Sequence, residues 1–195
     1  MTNVAVAFHI LGHGEEAPVG YEYINSHLIF DVKMDFRRKY RFVAGGHTIS
    51  MPTESTYAGF VSRESVRIAF NLAALNDLDI FAADIQNTYL TSPCGEKIIF
   101  TCEPEFRSEH KGKTEVVVRA IYGLRSSGPE FCNHLASFMV AFNYLLCRAY
   151  TDFWMQKARK SDGNKYYEYM ILYVDDCLAI SETPKEAVLQ LDKLF

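Results

Sequence analysis

The feature that most restricts the fold lies near the end of the chain, where two adjacent carboxylates, Asp175 and Asp176, separate two apolar runs, residues 166–174 and 177–180. Runs this rich in Tyr, Ile, Leu and Val read as strands, and a polar pair between them reads as a tight turn. The spacing therefore predicts a β-hairpin with both aspartates at its tip. A third carboxylate, Asp84, closes another short apolar run, residues 80–83. Residues at the ends of neighbouring strands can meet on one sheet edge, which would gather all three. Clustered carboxylates repel and raise one another's pKa unless a cation neutralises them, and magnesium takes oxygen ligands while keeping waters and substrate phosphates in its shell. Two such ions about 4 Å apart are sufficient for an in-line displacement at phosphorus. On spacing alone a plainer alternative stays open, in which Asp175-Asp176 is a turn favoured for its backbone preferences and Asp84 an ordinary strand end.

The rest of the chain supplies a frame for such a site. Residues 21–34, a polar turn at 35–38 and residues 40–44 before Gly45-Gly46 read as a hairpin whose basic end projects. Ser62 is an N-cap for a helix carried by Val66, Phe70, Ala73 and Ala74 and ending near Asn76-Asp77. Residues 97–102, 114–120 and 153–157 are strand-like. A second helix opens on Ser127 as N-cap, with Pro129 in its first turn and Glu130 completing a capping box, and presents Leu135, Phe138, Met139 and Phe142 as a core stripe. Thr183-Pro184-Lys185-Glu186 starts a third, which the chain end at Phe195 is expected to cut short. Residues 1–20, with three glycines and a proline, read as a tail. Irregular alternation of helices with hairpin-joined strands points to an α+β fold with a mainly antiparallel sheet.

Composition removes several classes of function. With 195 residues, 49% of them hydrophobic, the chain can bury a core. No apolar run approaches the roughly 18 residues that span a membrane. The first basic residue is Lys33, so residues 4–11 lack the charged start of a signal peptide, and a cytoplasmic setting without membrane contact is expected. Five scattered cysteines, never spaced as CxxC, argue against both a disulfide framework and a zinc site. The formal net charge is −4, yet Arg37, Arg38, Lys39 and Arg41 crowd around Tyr40, and Lys157, Arg159, Lys160 and Lys165 form a looser cluster that reads as a solvated hairpin or loop.

Tyr173-Val174-Asp175-Asp176 resembles the YxDD signature of reverse transcriptases, and further segments follow in that family's order. Asp84-Ile85-Gln86-Asn87-Thr88-Tyr89-Leu90 resembles the first palm motif, an aspartate followed five residues later by an aromatic. Tyr122-Gly123-Leu124-Arg125 is similar to the YGLK stretch of copia-type enzymes, and residues 39–46 to their KARLVAKG fingers segment. Glu103-Pro104-Glu105-Phe106 stands where the family has a proline, a glycine and an aromatic. The resemblance covers roughly residues 21–182 and is strong because the segments are ordered.

It implies the fingers and palm of a right-hand polymerase, with an antiparallel palm sheet flanked by helices and the thumb absent: residues 1–20 a tail, 21–61 and 96–121 fingers, 62–95 and 122–195 palm. The implied activity is RNA-directed DNA polymerisation on an RNA template and a DNA primer with dNTPs. Asp84 and Asp175 would hold two magnesium ions, replaceable by manganese, with Asp176 supporting them electrostatically. Tyr89 would be the steric gate against a 2′-hydroxyl. Lys39 and Arg41 would grip the triphosphate, Ser126 would line the nucleotide site, and Tyr173 and Val174 would border the primer end. A full-length element would add integrase and ribonuclease H in one Pol polyprotein and assemble virus-like particles in the cytoplasm. Ser126 stands where many members have glutamine and Thr88 where they have alanine, so Thr88 is expected to crowd the nucleotide pocket. A second reading also stays open: a catalytically inactive fragment of a mobile element that binds nucleic acid through residues 37–41.

Overall fold

The computed structural model describes residues 7–12, 15–50, 61–103 and 110–192. In chain order the elements are strands β1 (Phe8–Ile10), β2 (Glu22–Tyr23), β3 (Ser26–Val32) and β4 (Arg38–Ala44), helix α1 (Arg63–Asn76), strands β5 (Asp79–Asp84), β6 (Ile98–Thr101) and β7 (Thr114–Val117), helix α2 (Ser127–Ala141), strands β8 (Leu145–Leu146), β9 (Phe153–Arg159), β10 (Lys165–Tyr173) and β11 (Asp176–Ser181), and helix α3 (Pro184–Asp192). The fold is α+β. It divides into two compact units, each made of two stretches of chain: Met1–Tyr57 with Tyr89–Phe131, and Ala58–Thr88 with Cys132–Phe195.

The second unit is a five-stranded sheet in the order β5-β11-β10-β9-β8, every neighbouring pair antiparallel. Successive side chains on a strand point to opposite faces, and both faces here are covered. Phe153, Ile171 and Ile180 pack with Ala69 and Ala73 of α1. Their neighbours Trp154, Met170 and Ala179 pack with Met139 of α2 and Leu191 of α3. Helices on both sides explain why β10 and β11 are nearly continuous apolar runs and not alternating ones. Met170 and Ile180 are completely buried, and side chains of this size contribute about 1.5–3 kcal/mol each when removed from water.

Helix α1 starts and stops where its sequence dictates. Ser62 lies in extended conformation and its Oγ accepts from the Ser65 N–H at 2.9 Å, satisfying one orphan donor of the first turn. At the other end Asp77 turns left-handed, and Lys160 Nζ donates to the Asn76 and Asp77 carbonyls at 2.6 and 3.1 Å. A cation at that end also meets the negative pole of the helix dipole.

The first unit contains a four-stranded sheet, β1-β7-β6-β2, and a separate ribbon of β3 and β4. Residues 8–10 depart from the expected tail: β1 pairs with β7, Phe8 opposite Val117, and the Phe8 ring packs edge-on at 5.3 Å from Phe42 and 5.1 Å from Phe100. The expected strand over residues 21–34 is also divided. β2 runs parallel to β6, Ile24 donates to the Ile99 carbonyl, and then Asn25 gives its carbonyl to the Gly45 N–H, so the chain changes partner between Ile24 and Asn25. Ile24 is 1% exposed among Ile98, Phe100 and Val117; burying it decides where the strand breaks. Helix α2 departs in its cap: Ser126 supplies the carbonyl for the Glu130 N–H, Ser127 Oγ donates to the Ile121 carbonyl at 2.7 Å, and Glu130 accepts from the Gly95 N–H at 2.8 Å. The expected core stripe is present, with Leu135 and Met139 buried. Residues 104–106 of the expected proline-containing segment lie outside the described residues.

Candidate active site

The three aspartates belong to the second unit, and the ladder register decides how they meet. β10 ends at Tyr173 and β11 begins at Asp176, with Tyr173 opposite Asp176, so the loop residues are Val174 and Asp175. This corrects the expected tip by one residue. Asp176 thereby becomes a strand residue, and on its other side it pairs directly with Asp84, the last residue of β5. Directly opposed residues share a sheet face with Cβ atoms about 4.5–5.5 Å apart. The Ile85 N–H donates to the Asp175 carbonyl at 2.6 Å, tying the strand end of Asp84 to the loop of Asp175.

A two-residue hairpin loop needs positive φ at its first residue, a place glycine fills readily. Here Val174 takes it, at φ 51°. A β-branched residue in that region is a true outlier costing on the order of 1–2 kcal/mol, and such strain concentrates at functional sites.

Electrostatics follow from the register. Asp176 is held above the ordinary carboxylate range by partial burial and then by the charges of Asp175 and Asp84. Among the described residues no ion pair reaches any of the three. An acidic trio without a protein cation is a donor set that fits magnesium. Among the described residues no group of three His, Cys, Asp or Glu is placed to hold a metal ion by itself. Beside the cluster, Ala82, Ala83, Ile171, Tyr173 and Leu178 line a cavity of about 560 Å³ with Asp84 and Asp176 on its wall.

In the first unit, Lys39 and Arg41 alternate along β4 on the face opposite Phe42, with Asp31 and Ile29 as their ladder partners. Arg37 is engaged by Asp35 at 2.6 Å. Tyr89, in a 3₁₀ turn over Thr88–Thr91, packs edge-on against Tyr122 at 4.8 Å and Phe131 at 6.4 Å.

The family model for reverse transcriptase (RNA-dependent DNA polymerase) matches residues 12–191. The chain belongs to this family. A curated relative, the truncated transposon Ty1-A Gag-Pol polyprotein of Saccharomyces cerevisiae, is 29% identical over 122 residues, 60% of this chain. The chain spans about 10% of that polyprotein's length. The copia-type reverse transcriptase resemblance carried by residues 39–46, 84–90, 122–125 and 173–176 is thus matched by independent comparison.

Two positions where this reverse transcriptase segment departs from the family pattern acquire local explanations. Thr88 is 2% exposed and its Oγ1 donates to the Ile85 carbonyl at 2.7 Å, closing the turn that follows Asp84. Ser126 is also 2% exposed; its N–H donates to Glu96 Oε1 at 3.0 Å. The Ser126 backbone thus starts α2 and anchors Glu96, while its buried Oγ has no hydrogen-bond partner among the described residues. The left-handed Val174 escaped the sequence reading. Its signal was the register itself, because a strand-borne Asp176 opposite Asp84 leaves only two residues for the loop.

Proposed function

We propose that the chain is the fingers and palm of an RNA-directed DNA polymerase, with fingers over residues 21–61 and 96–121 and palm over 62–95 and 122–195. The observation that carries the reading is the pairing of Asp84 with Asp176 beside the Asp175 loop. Asp84 and Asp175 are assigned as ligands of two magnesium ions, with manganese a substitute, and Asp176 as the neighbouring charge that sharpens the cluster's demand for cations. Bound there, magnesium would make the primer 3′-hydroxyl more acidic and neutralise charge on the phosphates. The hydroxyl oxygen then bonds to the α-phosphorus of a dNTP, the bond to the bridging oxygen breaks, pyrophosphate leaves and the hydroxyl proton passes to solvent. Tyr89 is assigned as the gate against ribonucleotides, its ring steadied by Tyr122 and Phe131. Lys39 and Arg41 are assigned to the triphosphate, and Tyr173 and Val174 to the primer terminus. Ser126 is assigned to line the nucleotide site; its Oγ is buried without a hydrogen-bond partner among the described residues. In this reading the RNA template, DNA primer and dNTPs are the partners. The segment would act within a Pol polyprotein that also carries integrase and ribonuclease H, in cytoplasmic virus-like particles; among the described residues no helix is long and apolar enough to cross a membrane.

The test is extension of a DNA primer on an RNA template with dNTPs and magnesium. Asp175→Asn and Asp84→Asn should each lower the rate by about 10²-fold or more, and Tyr89→Ala should admit ribonucleotides. Extension that survives Asp175→Asn unchanged, or none at all even when the chain is joined to the thumb of a copia-type relative, would overturn the reading.

A further inference from the structure

The sheet of the second unit has another end. From Tyr173 at the aspartate loop, β10 runs back nine residues to Lys165, roughly 25–30 Å along the strand. At that end lies a cavity of about 470 Å³ lined by Lys157, Arg159, Lys165, Tyr166 and Tyr167. The register sorts these residues. Lys157 is opposite Tyr167 and Arg159 is opposite Lys165. Opposed residues, and residues two apart on one strand, share a face. Three cations and one ring therefore stand together on the same side.

The other polar groups here are already committed. Lys160 caps α1. Asp162 accepts from the backbone and side chain of Asn164, which holds it below its ordinary range. Glu182 accepts from the Ser161 N–H and hydroxyl. The Tyr166 hydroxyl is tied to Ser181 and to the Glu182 N–H. Among the described residues no ion pair involves Lys157, Arg159 or Lys165, and Tyr167 is 42% exposed, its ring tilted 32° to Tyr169 at 6.5 Å.

We propose that this face is a second nucleic-acid site, remote from the aspartate cluster, which holds a single strand with its phosphates on Lys157, Arg159 and Lys165 and a base stacked on Tyr167. A positive groove that tracks the backbone, set beside an aromatic platform, is the recurring design for single strands. Three cations grouped with one exposed ring suit a polymer that carries both phosphates and bases; an acidic peptide would leave the ring unused.

The site is tested by fluorescence anisotropy of the whole chain with a labelled oligouridylate and, in parallel, an oligothymidylate, across a salt series. The triple substitution Lys157→Ala, Arg159→Ala, Lys165→Ala should weaken binding about tenfold or more and reduce the log–log salt slope by about two, since each phosphate neutralised on a single strand contributes about 0.7. Tyr167→Ala should weaken it about fivefold or more with the slope unchanged. Lys160→Ala removes a charge from the turn that joins β9 to β10 and should leave affinity unaltered. Equal losses for both oligomers assign the site to the shared phosphate and base chemistry, and a loss confined to oligouridylate assigns it to RNA. A folded triple variant with unchanged affinity and slope would overturn the proposal, as would an effect of Lys160→Ala equal to that of the triple or an acidic peptide that competes fully while Tyr167→Ala has no effect. Asp175→Asn should leave this binding intact, which separates its failure from that of the polymerase reading.

Discussion

At Val174 the backbone sits at φ 51° with a branched side chain attached. Holding a non-glycine residue left-handed costs on the order of 1–2 kcal/mol, and a glycine there forfeits about 0.5–1 kcal/mol through its freer unfolded chain. The balance favours the smaller residue. Val174→Gly is expected to raise stability by about 0.5–1 kcal/mol, read as a higher urea midpoint with an unchanged slope, while primer extension falls because Asp175 loses its fixed orientation. A lower midpoint would show that the Val174 side chain contributes more through contacts than its conformation costs. Next to Val174, the Asp175 carbonyl is held by the Ile85 N–H at 2.6 Å.

Among the elements, α1 shows most clearly how much a local pattern can say. Its start at Ser62 and its end at Asn76 were both legible, because each is set by a side chain or a turn within four residues. Ser62→Ala should cost about 1 kcal/mol of stability by urea unfolding, and Lys160→Ala about 0.5 kcal/mol at the other end; a neutral Ser62→Ala would mean that Ser65 finds another acceptor. The start of α2 was legible to within one residue, whereas its capping contacts were not, for the complementary reason. Ser127 and Glu130 have the right spacing for a capping box, but Ile121 and Gly95 offer competing partners that no window around residue 127 reveals. The same holds for β1, three residues among glycines whose pairing with β7 comes from beyond residue 113, and for the one-residue slip at the aspartate loop, which is fixed by β5 nearly a hundred positions away. At the site itself the three carboxylates were legible as residue types, whereas the burial of Thr88 and Ser126 was not, since burial is a property of packing.

On the scale of the whole molecule, each unit has its own core and its own shielded thiol. Cys94, in the first unit, is pushed up to about 12, chiefly by burial; Cys177, in the second, is pushed up to about 11 by the same main cause. Only the thiolate reacts. A maleimide at pH 8 should therefore leave both unmodified for a time that labels every cysteine of the urea-unfolded chain. Because the folded value of Cys94 lies above its ordinary 9.0, the stability it confers is complete below pH 9 and is lost as pH rises towards 12. Labelling of either thiol at the unfolded rate would mean that its unit opens under native conditions.

The interleaving of the two units also sets a timetable for synthesis. The first unit has all its residues once Phe131 is made, but Asp79–Asp84 is translated early and, among the described residues, its only strand neighbour, β11, arrives some ninety residues later. At about 5–20 residues per second that is a wait of several seconds with an open strand edge. A nascent chain paused in this interval is at its most adhesive, and the carboxylate cluster comes into being only when the ribosome delivers the strand that relieves it.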